Sequence, residues 1–361
     1  MEIIIDKKRL ESIALIVSSY VEKRDNISLN SNIKLEAKNN ELVLKASDSE
    51  IGIEYKIRDC NVTENGEIYI NAKKLIDILK ALNNADIKIK KLDKTIKITQ
   101  NKTSFSLPIV NEGEFIFLEN DSDKIPVMLS AAELNKGFKM ILPAIDNNAI
   151  SMQFNCCYID ILSDKIVFAG SDSKRVNKYT INANNQNQDK IIITKKSAME
   201  LIKLLNEEVK VYKNNNYLII ENDNFKFFTK LAMIEFLKYI EVMPKQEPSQ
   251  VIVINNEDFL NEIKKLSAVS SKCQIVFEPN KITFKNNILN SIDINETNVT
   301  SELEINLNIN ENCETNLTNK HMMDFLNLNE FDTFEFKFYS SSAPVIFESN
   351  NFLSLMSANK N

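Results

Sequence analysis

Few side chains in this sequence are of the types that catalyse reactions. The carboxylates that could hold Mg²⁺ are Asp121 with Asp123, or Asp172 with a neighbour, because carboxylate oxygens are preferred ligands of this cation. The first pair lies in a linker-like stretch, and Asp172 has a counterpart, Asp48, 124 residues earlier. A residue that recurs in each unit of a repeat serves the fold more often than a single active site. We therefore expect no catalytic residue and interpret the chain as a non-enzyme.

The motifs of nucleotide, metal and nucleophile chemistry are absent from the sequence. The five glycines fit neither G-x-G-x-x-G nor G-x-x-x-x-G-K-[ST], and no G-x-S-x-G occurs, which disfavours a phosphate-binding loop or a nucleophile elbow. His321 is the one histidine, and the closest cysteines, Cys156 and Cys157, are adjacent, unlike the spaced pairs of zinc sites. The odd number of cysteines favours free thiols. We expect no metal and no cofactor.

The composition indicates a multidomain protein without a membrane segment. The chain has 361 residues, 43% of them hydrophobic, enough for two or three packed cores. It has no apolar run of the roughly 20 residues that a spanning helix needs, and its start does not resemble a signal peptide, so we expect a cytoplasmic protein. The net charge of −6 does not exclude DNA, because a protein that encircles DNA needs only a basic lining.

A threefold repeat organises the sequence. Residues 39–57 and 163–181 both contain an alternating segment followed by Ser-Asp-Ser, 124 residues apart. Residues 70–82, 193–205 and 317–329 share a pattern of two apolar residues, one acid and two apolar residues, whose acids are Asp77, Glu200 and Asp324. Such recurrence indicates three similar units. We expect an α+β fold with domains at residues 1–123, 124–248 and 249–361.

Each unit is predicted to contain two amphipathic helices and several strands. The second helices are the three segments just given, and the first helices are residues 6–16, 130–141 and 256–266, with Asp6, Ser130 and Asn256 as N-caps. Alternation predicts strands, which are residues 42–45, 87–98, 209–212, 217–221, 225–228, 281–285, 334–339 and 345–348.

Basic residues recur on the predicted helices of all three units. The helices carry, among others, Lys73, Lys139, Lys196, Lys264 and Lys320. A single lysine on a helix usually lies on a solvated face, but recurrence in three units fits helices that line an arc and present lysines to phosphates. Contacts of this kind carry no base-sequence information, which favours sequence-independent binding of double-stranded DNA.

The sequence resembles the bacterial DNA polymerase III beta subunit, the beta sliding clamp, along essentially its whole length. The resemblance rests on residues 46–53 (ASDSEIGI), 71–82, 105–107 (FSL), 171–176 (SDSKRV) and 227–244. It implies three clamp-type domains per chain, with helices on the inside and antiparallel sheets outside, and a ring-forming homodimer. It further implies a DNA sliding clamp, a processivity factor without catalysis of its own.

The resemblance also implies partners and site residues. The partners are the clamp-loader ATPase, the DNA polymerase III catalytic subunit and other polymerases or repair proteins, which dock through short linear motifs. The implied residues for DNA binding are Arg24, Lys73, Lys195 and Lys196, and those for the dimer interface are Phe105, Leu107, Ala268 and Val269. For the partner-peptide pocket they are Phe154, Ser171, Ser173, Lys174, Arg175, Val176, Pro244, Thr318, His321, Ser342, Pro344, Leu355 and Met356. Arg175 is expected to orient polar groups of the partner.

The pocket departs from the family pattern at several positions. Ser173 replaces a glycine, Lys174 replaces a histidine, and residues 235–239 match the family's FPDY segment poorly. The tail from residue 355 lacks the Pro and the basic residue of the family's M-P-x-R-L-like end. These departures predict altered motif preference or weaker peptide binding. They leave open an alternative, a diverged clamp-like dimeric scaffold that binds partner proteins but is loaded poorly on DNA.

Overall fold

The computed structural model describes residues 1–23, 25, 28–110, 113–118, 123–286, 298–307, 309 and 311–359. These residues form two compact units. The first comprises Met1–Ala132 and Met199–Leu231, and the second comprises Glu133–Ala198 and Ala232–Asn361.

The order of helices and strands recurs three times along the chain. Each set has one strand, a helix, four strands (five in the first set), a second helix and three strands. The first set is β1 Glu2–Asp6, α1 Lys7–Val17, β2 Asn32–Lys38, β3 Glu41–Ser47, β4 Ile51–Ile57, β5 Asn61–Glu64, β6 Gly66–Asn71, α2 Ala72–Ala81, β7 Asp86–Lys91, β8 Thr95–Gln100 and β9 Thr103–Pro108. The second set is β10 Ile125–Val127, α3 Ala131–Ile141, β11 Cys156–Ile161, β12 Lys165–Ser171, β13 Arg175–Asn182, β14 Asp189–Thr194, α4 Lys195–Ile202, β15 Lys210–Lys213, β16 Tyr217–Glu221 and β17 Phe225–Lys230. The third set is β18 Gln250–Asn255, α5 Asn256–Ser267, β19 Lys272–Glu278, β20 Lys281–Lys285, β21 Thr300–Glu304, β22 Cys313–Thr318, α6 Asn319–Leu328, β23 Thr333–Phe338, β24 Val345–Ser349 and β25 Phe352–Met356.

The first unit contains two antiparallel sheets. Five strands follow the order β5-β1-β7-β8-β9, and eight follow the order β10-β15-β16-β17-β4-β3-β2-β6. The larger sheet joins the last strand of the second set to the first set, because β17 pairs with β4 from Phe225 opposite Tyr55 to Thr229 opposite Ile51. Helices α1 and α2 contact each other.

The second unit repeats this construction. Eight strands follow the order β14-β11-β12-β13-β25-β24-β23-β18, and four follow the order β21-β20-β19-β22. The last strand of the third set again joins the set before it, with Arg175 of β13 opposite Met356 of β25. Helices α5 and α6 contact each other.

Capping side chains define where several helices begin. Asp6 accepts a hydrogen bond from the Arg9 backbone N–H at 2.7 Å, which confirms the predicted cap of α1. The predicted cap Asn256 is wrong, because Asn255 accepts the bond from Asp258 N–H at 3.0 Å. The amide of Asn256 instead donates to the carbonyl oxygen of Leu326 at 3.0 Å.

All six predicted helices are present, with corrections at their ends. The three second helices begin two residues later than predicted, because the first two residues of each segment end the preceding strand, β6, β14 or β22. The predicted strand 87–98 is wrong as one element, since it comprises β7, a turn and β8. The turn closes through the Leu92 N–H, which donates to the Thr95 carbonyl at 2.8 Å.

The cores of both units are apolar, and all five cysteines are buried in them as free thiols, as the odd count predicts. Cys156 and Cys157 are fully buried neighbours on β11. Their side chains point to opposite faces of the strand, because successive strand residues alternate in direction. Burial raises the pKa of the Cys157 thiol well above its usual value, which makes this thiol unreactive.

Candidate functional site

The turn between β12 and β13 is the centre of the predicted peptide site. The Asp172 carboxylate accepts hydrogen bonds from the backbone N–H groups of Lys174 at 3.0 Å and Arg175 at 3.1 Å. The Ser171 hydroxyl accepts from the Ser173 N–H at 3.1 Å and donates to the Arg175 carbonyl at 2.8 Å. Ser173 has a left-handed backbone, with φ of 73°, where glycine is favoured. The turn leaves Ser173 and Lys174 exposed.

The counterpart turn, 124 residues earlier, has the same construction. Asp48 accepts from the N–H groups of Glu50 at 3.0 Å and Ile51 at 2.9 Å, and Ser47 accepts from that of Ser49 at 3.1 Å. Ser49 also has a positive φ, of 72°. The carboxylate of each Ser-Asp-Ser sequence therefore closes a turn, as the repeat predicts.

Arg175 lies beneath the turn and is almost completely buried, with 3% of its side chain exposed. Its Nε donates to the Asp172 carboxylate at 3.1 Å, and its Nη1 donates to the Asp324 carboxylate of α6 at 2.7 Å. Its Nη2 donates to the carbonyl oxygen of Pro143, in the short 3₁₀ helix after α3. The guanidinium is thus hydrogen-bonded within the chain at all three of its nitrogens.

His321 lies beside this cluster on α6. Its Nε2 is 4.0 Å from the Asp172 carboxylate, and 11% of its side chain is exposed. Burial lowers the pKa of His321 to about 4, and the positive charge of Arg175 acts in the same direction. The imidazole is therefore neutral near pH 7, and the cluster consists of one cation and two carboxylates.

Strand β25 brings the C-terminal segment to the same turn. Val176 lies opposite Leu355 in the sheet, and the Ser357 N–H donates to the Lys174 carbonyl at 2.9 Å. The tail continues to Asn359, whose N–H donates to the Asn316 carbonyl at 2.8 Å and whose amide donates to the Thr318 hydroxyl at 3.4 Å.

Three apolar members of the predicted pocket are buried within the chain. Val176 and Leu355 are each 6% exposed, and Met356 is 1% exposed. Val176 and Leu355 pack in one buried cluster that also includes Tyr158 and Tyr239.

The remaining predicted pocket residues lie on neighbouring segments. Pro244 follows Met243, which packs against the buried cluster, and Pro344 directly precedes β24. Phe154 is half-buried, and its backbone bonds remain in its own loop, from N–H to the Ser151 carbonyl at 3.0 Å and from the Asp146 N–H to its carbonyl at 2.9 Å. Ser342 is in an exposed turn.

The structure thus joins the residues of the turn, β25, Thr318 and His321 through direct contacts. It adds three groups that the sequence did not identify as site residues: Asp324, the carbonyl of Pro143 and Asn359. A signal for Asp324 was present, because it is the third of the recurring acids.

The residues predicted to contact DNA differ in the exposure of their side chains. Lys73 of α2 and Lys196 of α4 are exposed. Lys195 is half-buried and donates to the Ile145 carbonyl at 2.6 Å, and burial lowers its pKa. Arg24 lies outside the described residues. Lys7, another basic residue of the first helices, is buried and pairs with Glu11 at 2.7 Å.

The residues predicted for a dimer interface lie on an edge strand of the first unit and just after a helix of the second unit. Phe105 and Leu107 are half-buried on β9, the edge of the five-stranded sheet, and Val269 follows α5 and is 45% exposed. Ala268 precedes it and is also exposed.

The position of Val269 has equivalents in the other two sets of elements. The matched helix residues Leu10, Leu134 and Phe259 are each followed ten residues later by Tyr20, Ala144 and Val269. Tyr20 is 1% exposed and Ala144 is fully buried. The Tyr20 ring packs edge-on against Phe227 of β17, with centroids 5.9 Å apart. The side chain at this position is therefore buried in the first and second sets and exposed in the third.

The described part of the chain shows neither a helix that could span a membrane nor a cluster of metal-binding side chains. No helix there is both long and apolar enough to cross a bilayer. No group of three or more His, Cys, Asp or Glu side chains there is arranged to hold a metal ion.

Comparison with known proteins identifies one family. The family model of the DNA polymerase III beta subunit N-terminal domain matches residues 1–119, and that of its central domain matches residues 128–238. The beta sliding clamp of Helicobacter pylori J99 is 28% identical over 360 residues, which cover 96% of this chain and 94% of the relative. That of Rickettsia bellii is 26% identical over 365 residues, with 96% and 95% covered.

Solved clamp structures have the same fold. The Helicobacter pylori beta clamp bound to a DNA ligase peptide matches with a TM-score of 0.90 and 26% identity, over 100% of both chains. The DNA polymerase III beta subunit of Pseudomonas aeruginosa matches with a TM-score of 0.91 over 100% of both chains, and at 18% identity it shows the fold alone. The repeated elements, the family models and these relatives agree: the chain belongs to the family of the bacterial DNA polymerase III beta subunit, the beta sliding clamp.

Proposed function

We propose that two copies of this chain close head to tail into a ring of six domains, which encircles duplex DNA and tethers polymerases to it. The three domains of each copy are residues 1–123, 124–248 and 249–361, and each contains one set of the recurring elements. The ring moves with the polymerase and does no chemistry of its own. Because it acts on replicating DNA, it works in the cytoplasm.

The sheet order is the observation that carries this proposal. Within the chain, the last strand of one set pairs with the fourth strand of the preceding set, as β17 does with β4 and β25 does with β13. In the described part of the chain, β9, a last strand, and β21, a fourth strand, are both edge strands of the two smaller sheets. A second copy that pairs its β21 with β9 would continue the same pattern, and two such junctions would close a ring.

The exposure of Val269 supports the same junction. Its equivalent Tyr20 packs against Phe227 on the strand that arrives from the next set. By this equivalence, Val269 and Ala268 would pack against β9 of the second copy, near Phe105 and Leu107.

Contacts to DNA are assigned to Arg24, Lys73 and Lys196. The exposure of the two lysines supports this role, and phosphate contacts would give affinity without sequence preference. Lys195, which donates to the Ile145 carbonyl, would hold the start of α4 rather than contact a phosphate directly.

Partner proteins would dock on the surface around the β12–β13 turn and β25. The DNA ligase peptide in the complex of the Helicobacter pylori clamp supports docking of short motifs on proteins of this fold. For this chain we propose the clamp-loader ATPase, the DNA polymerase III catalytic subunit and other polymerases or repair proteins as partners. Ser173, Lys174 and His321, with Phe154, Pro244, Thr318, Ser342 and Pro344 on neighbouring segments, would form the contact surface.

A second candidate is a clamp-like dimeric scaffold that binds proteins but is loaded poorly on DNA. The burial of Val176, Leu355 and Met356 favours it, because a closed pocket would weaken docking of the loader. Ordinary micromolar affinity for a clamp-binding peptide would count against the scaffold.

Retention on DNA tests the main proposal. The protein is loaded with its clamp loader and ATP onto nicked circular DNA, washed with high salt and then released by linearising the circle. A sliding clamp should survive the wash and leave after linearisation. Protein that washes off the intact circle is not held topologically, and this result would contradict the proposal.

A further inference from the structure

The buried ion cluster around Arg175 connects three segments that are distant in the chain. Through Asp172 it holds the β12–β13 turn, through Asp324 it holds α6, and through the Pro143 carbonyl it holds the 3₁₀ helix after α3. Arg175 and Asp324 are 149 residues apart in sequence. Because the guanidinium is planar and forked, its donors fix the directions of all three acceptors together.

The same position in the first set of elements is apolar. Arg175 and Ile51 occupy equivalent places after their Ser-Asp-Ser turns, and Ile51 is fully buried opposite Thr229. The acid equivalent to Asp324 on α4 is Glu200, which pairs with Lys203 of its own helix at 2.7 Å. The turn and the sheet junction therefore form with a buried isoleucine, so the fold does not require an ion cluster there.

Burying charges is costly compared with packing an apolar side chain of similar size. An ion cluster with this energetic cost is present at only one of the two equivalent junctions. We interpret it as serving a function that the other junction lacks. The difference between them is what the turn presents, since Ser173 and Lys174 are exposed next to β25 and α6.

We propose that Arg175 is a positioning residue, which fixes the exposed turn of Ser173 and Lys174 relative to α6 and thereby sets the shape of the partner-docking surface. This inference rests on the proposed docking function. Asp324 is the essential acceptor of the cluster, and Arg175 acts without touching the partner.

The mechanism passes through Asp172. Its carboxylate accepts from the Lys174 and Arg175 N–H groups and also from the Arg175 Nε. Without the guanidinium, the Asp172 carboxylate would be free to rotate. Its hydrogen bonds with the backbone N–H groups of residues 174 and 175 would then break more often. The equivalent turn at residues 47–51 lacks an arginine at position 51 and serves as an internal reference.

The test uses the full-length chain with Arg175→Met and Asp324→Asn combined. Removing the arginine alone would leave two carboxylates without their cation, whereas the double change lowers both charges together and keeps the side-chain volumes. Asp324→Asn alone and Arg175→Lys are the conservative variants. Asp77→Asn, which alters the exposed equivalent acid on α2, is the matched control.

Amide hydrogen exchange measures directly how firmly the backbone of the turn is held. In the double variant, amide exchange at Lys174 and at position 175 should accelerate about tenfold or more, while Glu50 and Ile51 keep their wild-type rates. Arg175→Lys should fall between the two. Unchanged exchange at Lys174 and at position 175 of the double variant would overturn the proposal, whatever the peptide measurements give.

The consequence for docking is measured as affinity for a peptide. The peptide is the DNA ligase peptide bound by the Helicobacter pylori clamp. The double variant should bind it at least tenfold more weakly than wild type, and Asp77→Asn should bind it equally well. Wild-type affinity in a double variant with accelerated exchange would overturn the role of the turn in docking. If wild-type protein binds no peptide, the docking function itself fails, and the exchange data still decide whether Arg175 positions the turn.

Discussion

At the scale of single residues, the predicted site separates into exposed and buried members. Ser173 and Lys174 are exposed, whereas Arg175 and Met356 are almost fully buried. The sequence indicated that these residues belong together, but not which of them a partner could reach. Local patterns cannot show that Arg175 meets Asp324, because the two residues lie 149 positions apart.

Ser173 should tolerate glycine and resist branched residues. Its φ of 73° costs a non-glycine residue about 1 kcal/mol or more, and a β-branched side chain adds further strain. We expect Ser173→Gly to change the free energy of unfolding by less than about 1 kcal/mol and Ser173→Val to lower it by about 1–3 kcal/mol. Urea denaturation measures both.

The equivalent changes at Ser49, with φ of 72°, provide the control. They should have the same effects on stability and none on peptide affinity. A Ser173→Val variant as stable as wild type would contradict the strained conformation.

His321 should make the protein less stable in mild acid. Its pKa is lowered to about 4 in the folded chain, whereas the unfolded chain has the usual value near 6.5. Between these values the unfolded state binds more protons, so the free energy of unfolding falls as the pH drops from about 6.5 to 4.

His321→Gln should remove this contribution, which is on the order of 2–3 kcal/mol below pH 4. Urea denaturation at pH 7, 5.5 and 4.5 compares the two proteins. His321 is the single histidine of the chain, so the difference in slope reports this residue. Equal slopes in the two proteins would show that the folded state protonates His321 normally.

At the scale of elements, the spacing of apolar residues predicted the helices and strands that form from local sequence. The six helices follow from apolar residues at helical spacing, and β16 and β20 have the predicted limits. The pattern failed where alternation continued through a turn, as between β7 and β8, and at Asn255, where two adjacent asparagines offered equivalent caps. The pairing of β17 with β4 was not predicted, because it joins strands that are far apart in the chain.

The β9 edge should determine whether the protein dimerises. Leu107→Asp would place a charge in the proposed apolar junction, where it would lack a partner, and should shift the protein to monomers. Sedimentation velocity at micromolar concentration measures the change. Ser106→Asp, on the opposite face of the same strand, is the control. Dimers that persist with Leu107→Asp would place the interface elsewhere.

At the scale of the whole molecule, basic side chains should control DNA affinity without affecting peptide binding. Neutralising Arg24, Lys73 and Lys196 together should weaken binding and flatten its salt dependence by a slope of about 0.9 for each lost phosphate contact. Filter binding to short duplexes at several salt concentrations measures the slope.

The matched control neutralises Lys97 and Lys102, which are exposed at β8 and the turn after it. It should leave the slope unchanged, and all variants should retain wild-type peptide affinity. An unchanged slope in the triple variant would remove these residues from the set that contacts DNA.

The order of strands in the larger sheet of the first unit also affects how the protein is made. Strand β4 ends at Ile57, but its neighbour β17 is complete only at Lys230. At translation rates of about 5–20 residues per second, roughly 10–35 s separate the two. During that time the nascent chain carries an open β4 edge next to apolar side chains, a state prone to aggregation. The nascent chain is therefore exposed to edge-to-edge pairing with other chains until the second set of elements has emerged.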